Sequence, residues 1–99
     1  MPNAVWLITY KLKLGSSASD FLQAAEKTKT EVLSKQKGFI SWTVLVDGDT
    51  YADFVTWECM EDAKKGETAG ANNPVAMEFY SFIDFATLNM QQFLVEKNL

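Results

Sequence analysis

The side chains able to do chemistry in this sequence are aromatic and amide groups rather than imidazoles. Trp6, Tyr10, Trp42, Trp57 and Tyr80 can wall a pocket for a small apolar molecule, with Asn72, Asn73 and the phenols as its hydrogen-bonding points. Each of these aromatics can equally be ordinary core packing, and Asn72-Asn73 can be loop and cap chemistry. Histidine is absent, which removes the commonest metal ligand, the usual general base at neutral pH and every Ser-His or Cys-His pair. The single cysteine, Cys59, lies near Glu58 and Glu61 without a cationic activator and reads as a structural thiol. Asp53 is the unexpected carboxylate, set mid-strand in an apolar run. It reads as an interface ion pair with Lys11 or Lys13, in preference to a buried general base of raised pKa.

Positioning these groups requires a sheet and helices, and the apolar periodicity supplies both. Alternation predicts β1 over Val5–Leu14, with Trp6, Ile8 and Tyr10 sharing a face. Gly15 breaks the run, and Ser17 to Asp20 forms a capping box for a helix, α1, predicted over Ala18–Lys35 with Phe21, Ala25, Thr28 and Val32 on its apolar stripe. Gly38 ends that segment. A second strand, β2, follows over Phe39–Val46, and Asp47-Gly48-Asp49 turns the chain into β3, Tyr51–Trp57. Trp57 then hands over to a helix, α2, from Met60, which places an indole at the lip of whatever cavity the two elements enclose. The acids at the start of that helix read as a solvated face. Asn73 can cap a further helical piece, α3, with Pro74 at its first position and an end near Ile83. The last segment, Leu88 to Glu96, fits strand or short helix about equally, and a fourth strand, β4, completes the sheet.

The order β-α-β-β-α-β is that of a ferredoxin-like α+β domain, a four-stranded antiparallel sheet with helices on one face, spanning 1–99 as a single unit. Two helices cover only one face of such a sheet, yet the strands are apolar on both. Val5 and Leu7 oppose Trp6 and Ile8, and Phe54 opposes Val55 and Trp57. The expectation is a homodimer packed through the open sheet face. Nine basic against thirteen acidic side chains, a net charge of −4, argue against nucleic acid or an anionic membrane as partner. One cysteine suits a reducing compartment, and no apolar stretch approaches the ~20 residues needed to span a bilayer, so a cytoplasmic location is expected.

Several local features together resemble the antibiotic biosynthesis monooxygenase family of dimeric α/β barrels. They are Gly15 after β1, Gly38-Phe39 opening β2, Trp57-Glu58 closing β3, Glu61-Asp62-Ala63 in the helix start and Asn73-Pro74 before the second helical piece. The resemblance implies a protomer that dimerises through its sheet. It also implies a cofactor-free monooxygenase or oxidase acting on an aromatic phenol or quinol, without metal or flavin, in a pocket between sheet and helices. Trp6, Tyr10, Trp57, Tyr80, Asn72 and Asn73 are the pocket candidates. The family's haem-degrading branch uses an asparagine in β1, a tryptophan after β3 and a histidine in the next helix. Here those places hold Ile8, Trp57 and a position near Glu67, so only the tryptophan is kept. The alternative is a non-catalytic dimer that binds a small hydrophobic ligand or serves as a scaffold.

Overall fold

A computed structural model describes residues 2–99. The chain runs β1 (Ala4–Leu12), α1 (Ala18–Glu31), a single 3-10 turn (Leu33–Lys35), β2 (Phe39–Asp47), β3 (Thr50–Trp57), α2 (Met60–Gly66), α3 (Pro74–Tyr80) and β4 (Ile83–Leu94). The strands form one antiparallel sheet in the order β2-β3-β1-β4, the ferredoxin-like arrangement the sequence predicts. Two short helices, rather than one interrupted helix, separate β3 from β4, so the order is βαββααβ.

Boundaries moved where local chemistry outweighed periodicity. The α-helix stops at Glu31 and tightens into the 3-10 turn, because the β-branched Val32 adopts φ −120° at its C-cap. The last strand begins at Ile83, five residues earlier than expected. Ile83 pairs with Leu12 and its side chain is buried, so it belongs to the sheet and not to α3. Leu88–Leu94 is strand, which resolves the helix alternative. Ser17 Oγ accepts from the Asp20 amide at 3.2 Å, the N-cap half of the expected capping box without the return bond to the Asp20 carboxylate, and Asn73 Oδ1 accepts from the amides of Val75 (2.9 Å) and Ala76 (3.4 Å) to start α3. The acids of α2 divide. Glu61 is exposed and pairs with Lys65 at 3.1 Å, but Asp62 is buried against Gly38 rather than solvated. Gly38 holds φ +84°, and a Cβ there would collide with the Asp62 carboxylate.

Cross-strand register sorts the side chains into rows on the helix-facing side, since directly paired residues share a face. Gln92, Trp6, Val55 and Trp42 make one row across all four strands; Met90, Ile8, Asp53 and Val44 make the next. A register shift between Phe39 and Ser41 lets both Phe39 and Trp42 point inward, although simple alternation puts them on opposite faces. Beneath the helices lie two apolar clusters. One gathers Ala4, Trp6, Leu33, Val55, Trp57 and Ala63, and the other Tyr10, Phe21, Ala24, Ala25, Phe79 and Ile83.

Candidate functional site

Between the two clusters the packing does not close. A cavity of about 260 Å³ is floored by Val55, Ile8, Asp53 and Met90 and roofed by α1 and α3 through Thr28, Ala76, Phe79 and Tyr80. Trp6 and Trp42 flank Val55 on the neighbouring strands. Two strand spacings put their Cα atoms about 10 Å apart, so the indoles form facing walls. Trp6 leans on Trp57 with ring centroids 4.9 Å apart, and Trp42 meets Phe79 edge-on at 5.3 Å. The roof stays open because small residues line it. A Cβ at Gly70 would strike the Tyr80 hydroxyl, and Gly70 and Ala76 present no bulk to the space. Glu67 and Phe85 are exposed members of the lining, which places the mouth beside Tyr80.

The polar content of this cavity is concentrated at one place. Asp53 is only 4% exposed, and the Tyr10 hydroxyl donates to its Oδ1 at 2.8 Å. Burial pushes the Asp53 carboxyl up from 3.8 to about 6, while hydrogen bonding from Tyr10 and the nearby Trp42 indole hold it down in part. The Trp42 Nε1–H nonetheless has no acceptor in good hydrogen-bond geometry among the described residues; neither does Trp6 Nε1. The Trp42 N–H thus lies close enough to the Asp53 carboxylate to favour its charge without forming a well-aligned hydrogen bond. Burial and the Asp53 charge raise the Tyr10 phenol far above its ordinary value, and the same two causes raise Tyr80. No lysine lines the cavity, and Asp53 and Glu67 are its charged residues.

The six pocket candidates separate. Trp6 and Tyr80 line the cavity. Tyr10 lies outside the lining and reaches it through its bond to Asp53. Trp57 is fully buried under Gly66, where a Cβ would run into its ring, so it supports the wall from behind instead of standing at a lip. Asn73 spends its side chain on capping α3, and Asn72 occupies an exposed turn position at φ 61°. The expected ion pair of Asp53 with Lys11 or Lys13 is not formed: Asp53 is buried opposite Ile8, Lys11 pairs instead with Asp49 at 3.4 Å, and Lys13 makes no ion pair among the described residues. Asp53 shares its parity with Tyr51, Val55 and Trp57, and that parity is the signal that places it on the enclosed face. Phe79, Phe85, Gly66 and Gly70 were not singled out by sequence. They come from α2, the α2–α3 connection, α3 and β4, and only the packing of these elements over the sheet brings them to one cavity. Among the described residues, no cluster of three metal-ligating side chains occurs, and no helix is long and apolar enough to cross a membrane.

The frame and its enclosed pocket define a ferredoxin-like α+β fold with a cavity between sheet and helices. Solved structures match this fold over all or most of the chain. SnoaB, a cofactor-independent oxygenase from Streptomyces nogalater, matches with a TM-score of 0.79 at 14% identity, over 100% of this chain and 98% of that one. A Bacillus cereus protein named as a candidate antibiotic biosynthesis monooxygenase matches with a TM-score of 0.66 at 18% identity, over 100% and 98% of the two chains. A conserved Methanosarcina mazei protein gives 0.73 at 10% identity, over 94% and 92%. The family resemblance carried by Gly15, Trp57 and Asn73-Pro74 therefore has its counterpart in full-length structural matches; at these identities the likeness establishes the fold. No protein-family model matches the sequence, and neither does any curated protein.

Proposed function

We propose that this chain is a small cofactor-free oxygenase or oxidase that takes an aromatic phenol or quinol into the cavity between sheet and helices. The observation that carries the reading is the cavity itself: aromatic walls from Trp6, Trp42, Phe79 and Tyr80 around one buried carboxylate, with no basic side chain in the lining. Such a site suits a neutral, electron-rich ring and excludes bulk water from it. In a quinol oxidation the substrate supplies both electrons and both protons, and dioxygen takes them up as hydrogen peroxide, so the protein has only to bind, orient and move protons. The likeness to SnoaB supports this chemistry over other uses of the fold.

The test is a thermal-shift series with naphthols, anthrones and quinols, followed by oxygen uptake with whichever compounds raise the melting temperature. A melting shift with oxygen consumption supports the reading. A shift without consumption under any condition replaces it with a non-catalytic binding protein, and no shift with any hydroxyarene removes it.

The protomer is proposed to work as a two-fold dimer. On the sheet face away from the helices, Leu7 pairs with Phe54 and Val5 with Phe93, and Phe54 (40%), Phe93 (44%) and Leu45 (46%) stand exposed. A second copy of this face is the self-complementary cover for such a patch. Replacing Phe54 by Lys puts a charge into both halves of that contact. Self-association should weaken about a thousandfold, given what a buried aromatic anchor contributes in each copy. Sedimentation velocity over a concentration series reads the change, and a wild-type chain that is monomeric at high concentration would dismiss the dimer.

A further inference from the structure

We propose that Asp53 is the general base of this site, its carboxylate taking the proton from the hydroxyl of the bound arenol, and that Tyr10 is its positioning residue. The assignment rests on the phenol or quinol reading above and goes beyond it by naming the group that starts the reaction. Three features of the geometry converge on Asp53. It is the one carboxylate in the cavity floor, between Ile8 and Val44 in its row, where an unpaired charge has no structural use. Tyr10, in the neighbouring row of the same sheet face, donates to Oδ1, which fixes the carboxylate and leaves Oδ2 for a ligand. The Trp42 indole N–H lies beside the carboxylate, near enough to favour its ionised form yet outside good hydrogen-bond geometry, so it is placed to donate to a ligand oxygen bound at Asp53.

The step balances simply. The O–H bond of the ligand breaks, its electron pair stays on oxygen and spreads into the ring, and the proton forms a new O–H bond on Asp53. Once Asp53 is protonated, the Trp42 N–H can donate to the oxyanion, which is electrostatic stabilisation where charge develops. With a quinol, dioxygen receives two electrons from that anion and takes up the proton returned by Asp53 together with the second hydroxyl proton, so quinone and hydrogen peroxide leave and the carboxylate is restored. A carboxyl raised toward neutrality by burial is a stronger base than an ordinary aspartate and suits this work. The groups facing Asp53 are Tyr10 from β1, Trp42 from β2 and Tyr80 from α3, with Glu67 elsewhere in the same cavity after α2; α1 contributes only Thr28. None of them carries a positive charge that would hold Asp53 ionised at low pH.

The experiment pairs binding with turnover, using 1-naphthol as the binding probe, naphthalene as its hydroxyl-free control and 1,4-dihydroxynaphthalene for oxygen uptake. Naphthol affinity should fall about three- to tenfold as pH drops through the region near 6, because the carboxylate is the better acceptor of the hydroxyl. Naphthalene binding should stay flat. Asp53→Asn keeps the acceptor for Tyr10, and it should abolish the pH dependence of naphthol binding and lower oxygen uptake by about a hundredfold or more. Tyr10→Phe removes a hydrogen bond that favours the ionised form, so the acid limb of kcat/KM should move to higher pH. A purely structural tyrosine would lower activity without moving that limb. Full oxygen uptake by Asp53→Asn, or wild-type naphthol binding that does not change with pH, overturns the assignment. A pH-dependent naphthol complex that never consumes oxygen instead overturns the oxidase reading and leaves the Asp53–hydroxyl contact standing. No binding of naphthol at any pH removes both.

Discussion

Asp53→Asn should make the protein more stable at neutral pH, by about 1–3 kcal/mol, and should stop doing so in acid. The carboxyl is raised from 3.8 to about 6 in the folded state, chiefly by burial, and each tenfold change in proton affinity corresponds to about 1.4 kcal/mol. Ionised Asp53 therefore opposes folding by up to about 3 kcal/mol at neutral pH. Because the folded value lies above the unfolded one, the protonated form is favoured in the fold. Its contribution is fully present below the unfolded value and is lost as pH rises through about 6. Wild type should thus gain stability relative to Asp53→Asn on acidification over that window, and the two melting curves should converge below about pH 4. The asparagine keeps the Tyr10 bond but meets the Trp42 N–H with an amide, which trims the gain. Melting temperatures at neutral pH should differ by about 5–15 °C for a domain of this size. Equal melting temperatures across the whole range would mean that Asp53 is solvated or ion-paired in solution, contrary to its 4% exposure. A variant that is more stable and less active would show that the buried charge is retained for chemistry rather than for the fold.

The same residue marks the limit of what one-dimensional pattern conveys. The sheet was legible because the inward residues Trp6, Tyr10, Val55 and Trp57 recur at period two, and because the Asp47-Gly48-Asp49 turn fixes the β2-β3 register. The caps at Ser17 and Asn73 were legible for a local reason, since a cap side chain bonds an amide two or three residues away. The cavity was not legible in that way. Its roof comes from residues some ten to seventy positions from its floor, and whether Gly66, Gly70 and Ala76 leave a void depends on how α2 and α3 cross the sheet. Trp42 was a candidate wall by type, but its inward facing together with Phe39 depends on the register shift near Ile40, which simple alternation cannot reveal. Asp53 was visible in phase with Trp57, but charge complementarity with Lys11 or Lys13 pulled its reading to the other face. Parity was the better guide, because a one-residue inversion would have had to turn every neighbour with it.

Trp57→Ala should cost about 3–5 kcal/mol and lower the melting temperature by about 15–30 °C, the largest effect expected of any single truncation here. Trp57 has no exposed surface, and three partners fix its ring: Trp6 at 4.9 Å, Phe39 edge-on at 5.7 Å, and the bare backbone of Gly66. Removing the indole leaves a void that α2 cannot fill, since its approach is set by Gly66 having no side chain. The complementary change makes the same point from the other direction. Gly66→Val would drive a branched side chain into the indole, and overpacking of this kind costs about 1–3 kcal/mol or more. The effect reaches the site through one contact, because Trp6 rests on Trp57 and forms a cavity wall with its other face. Trp57→Phe preserves most of the volume and should keep both the fold and naphthol binding, with only a modest melting loss. If Trp57→Phe instead removed oxygen uptake while binding and melting stayed near wild type, the indole would have a chemical role that its complete burial does not suggest. Chemical denaturation of the three variants alongside oxygen uptake separates packing from chemistry at this position.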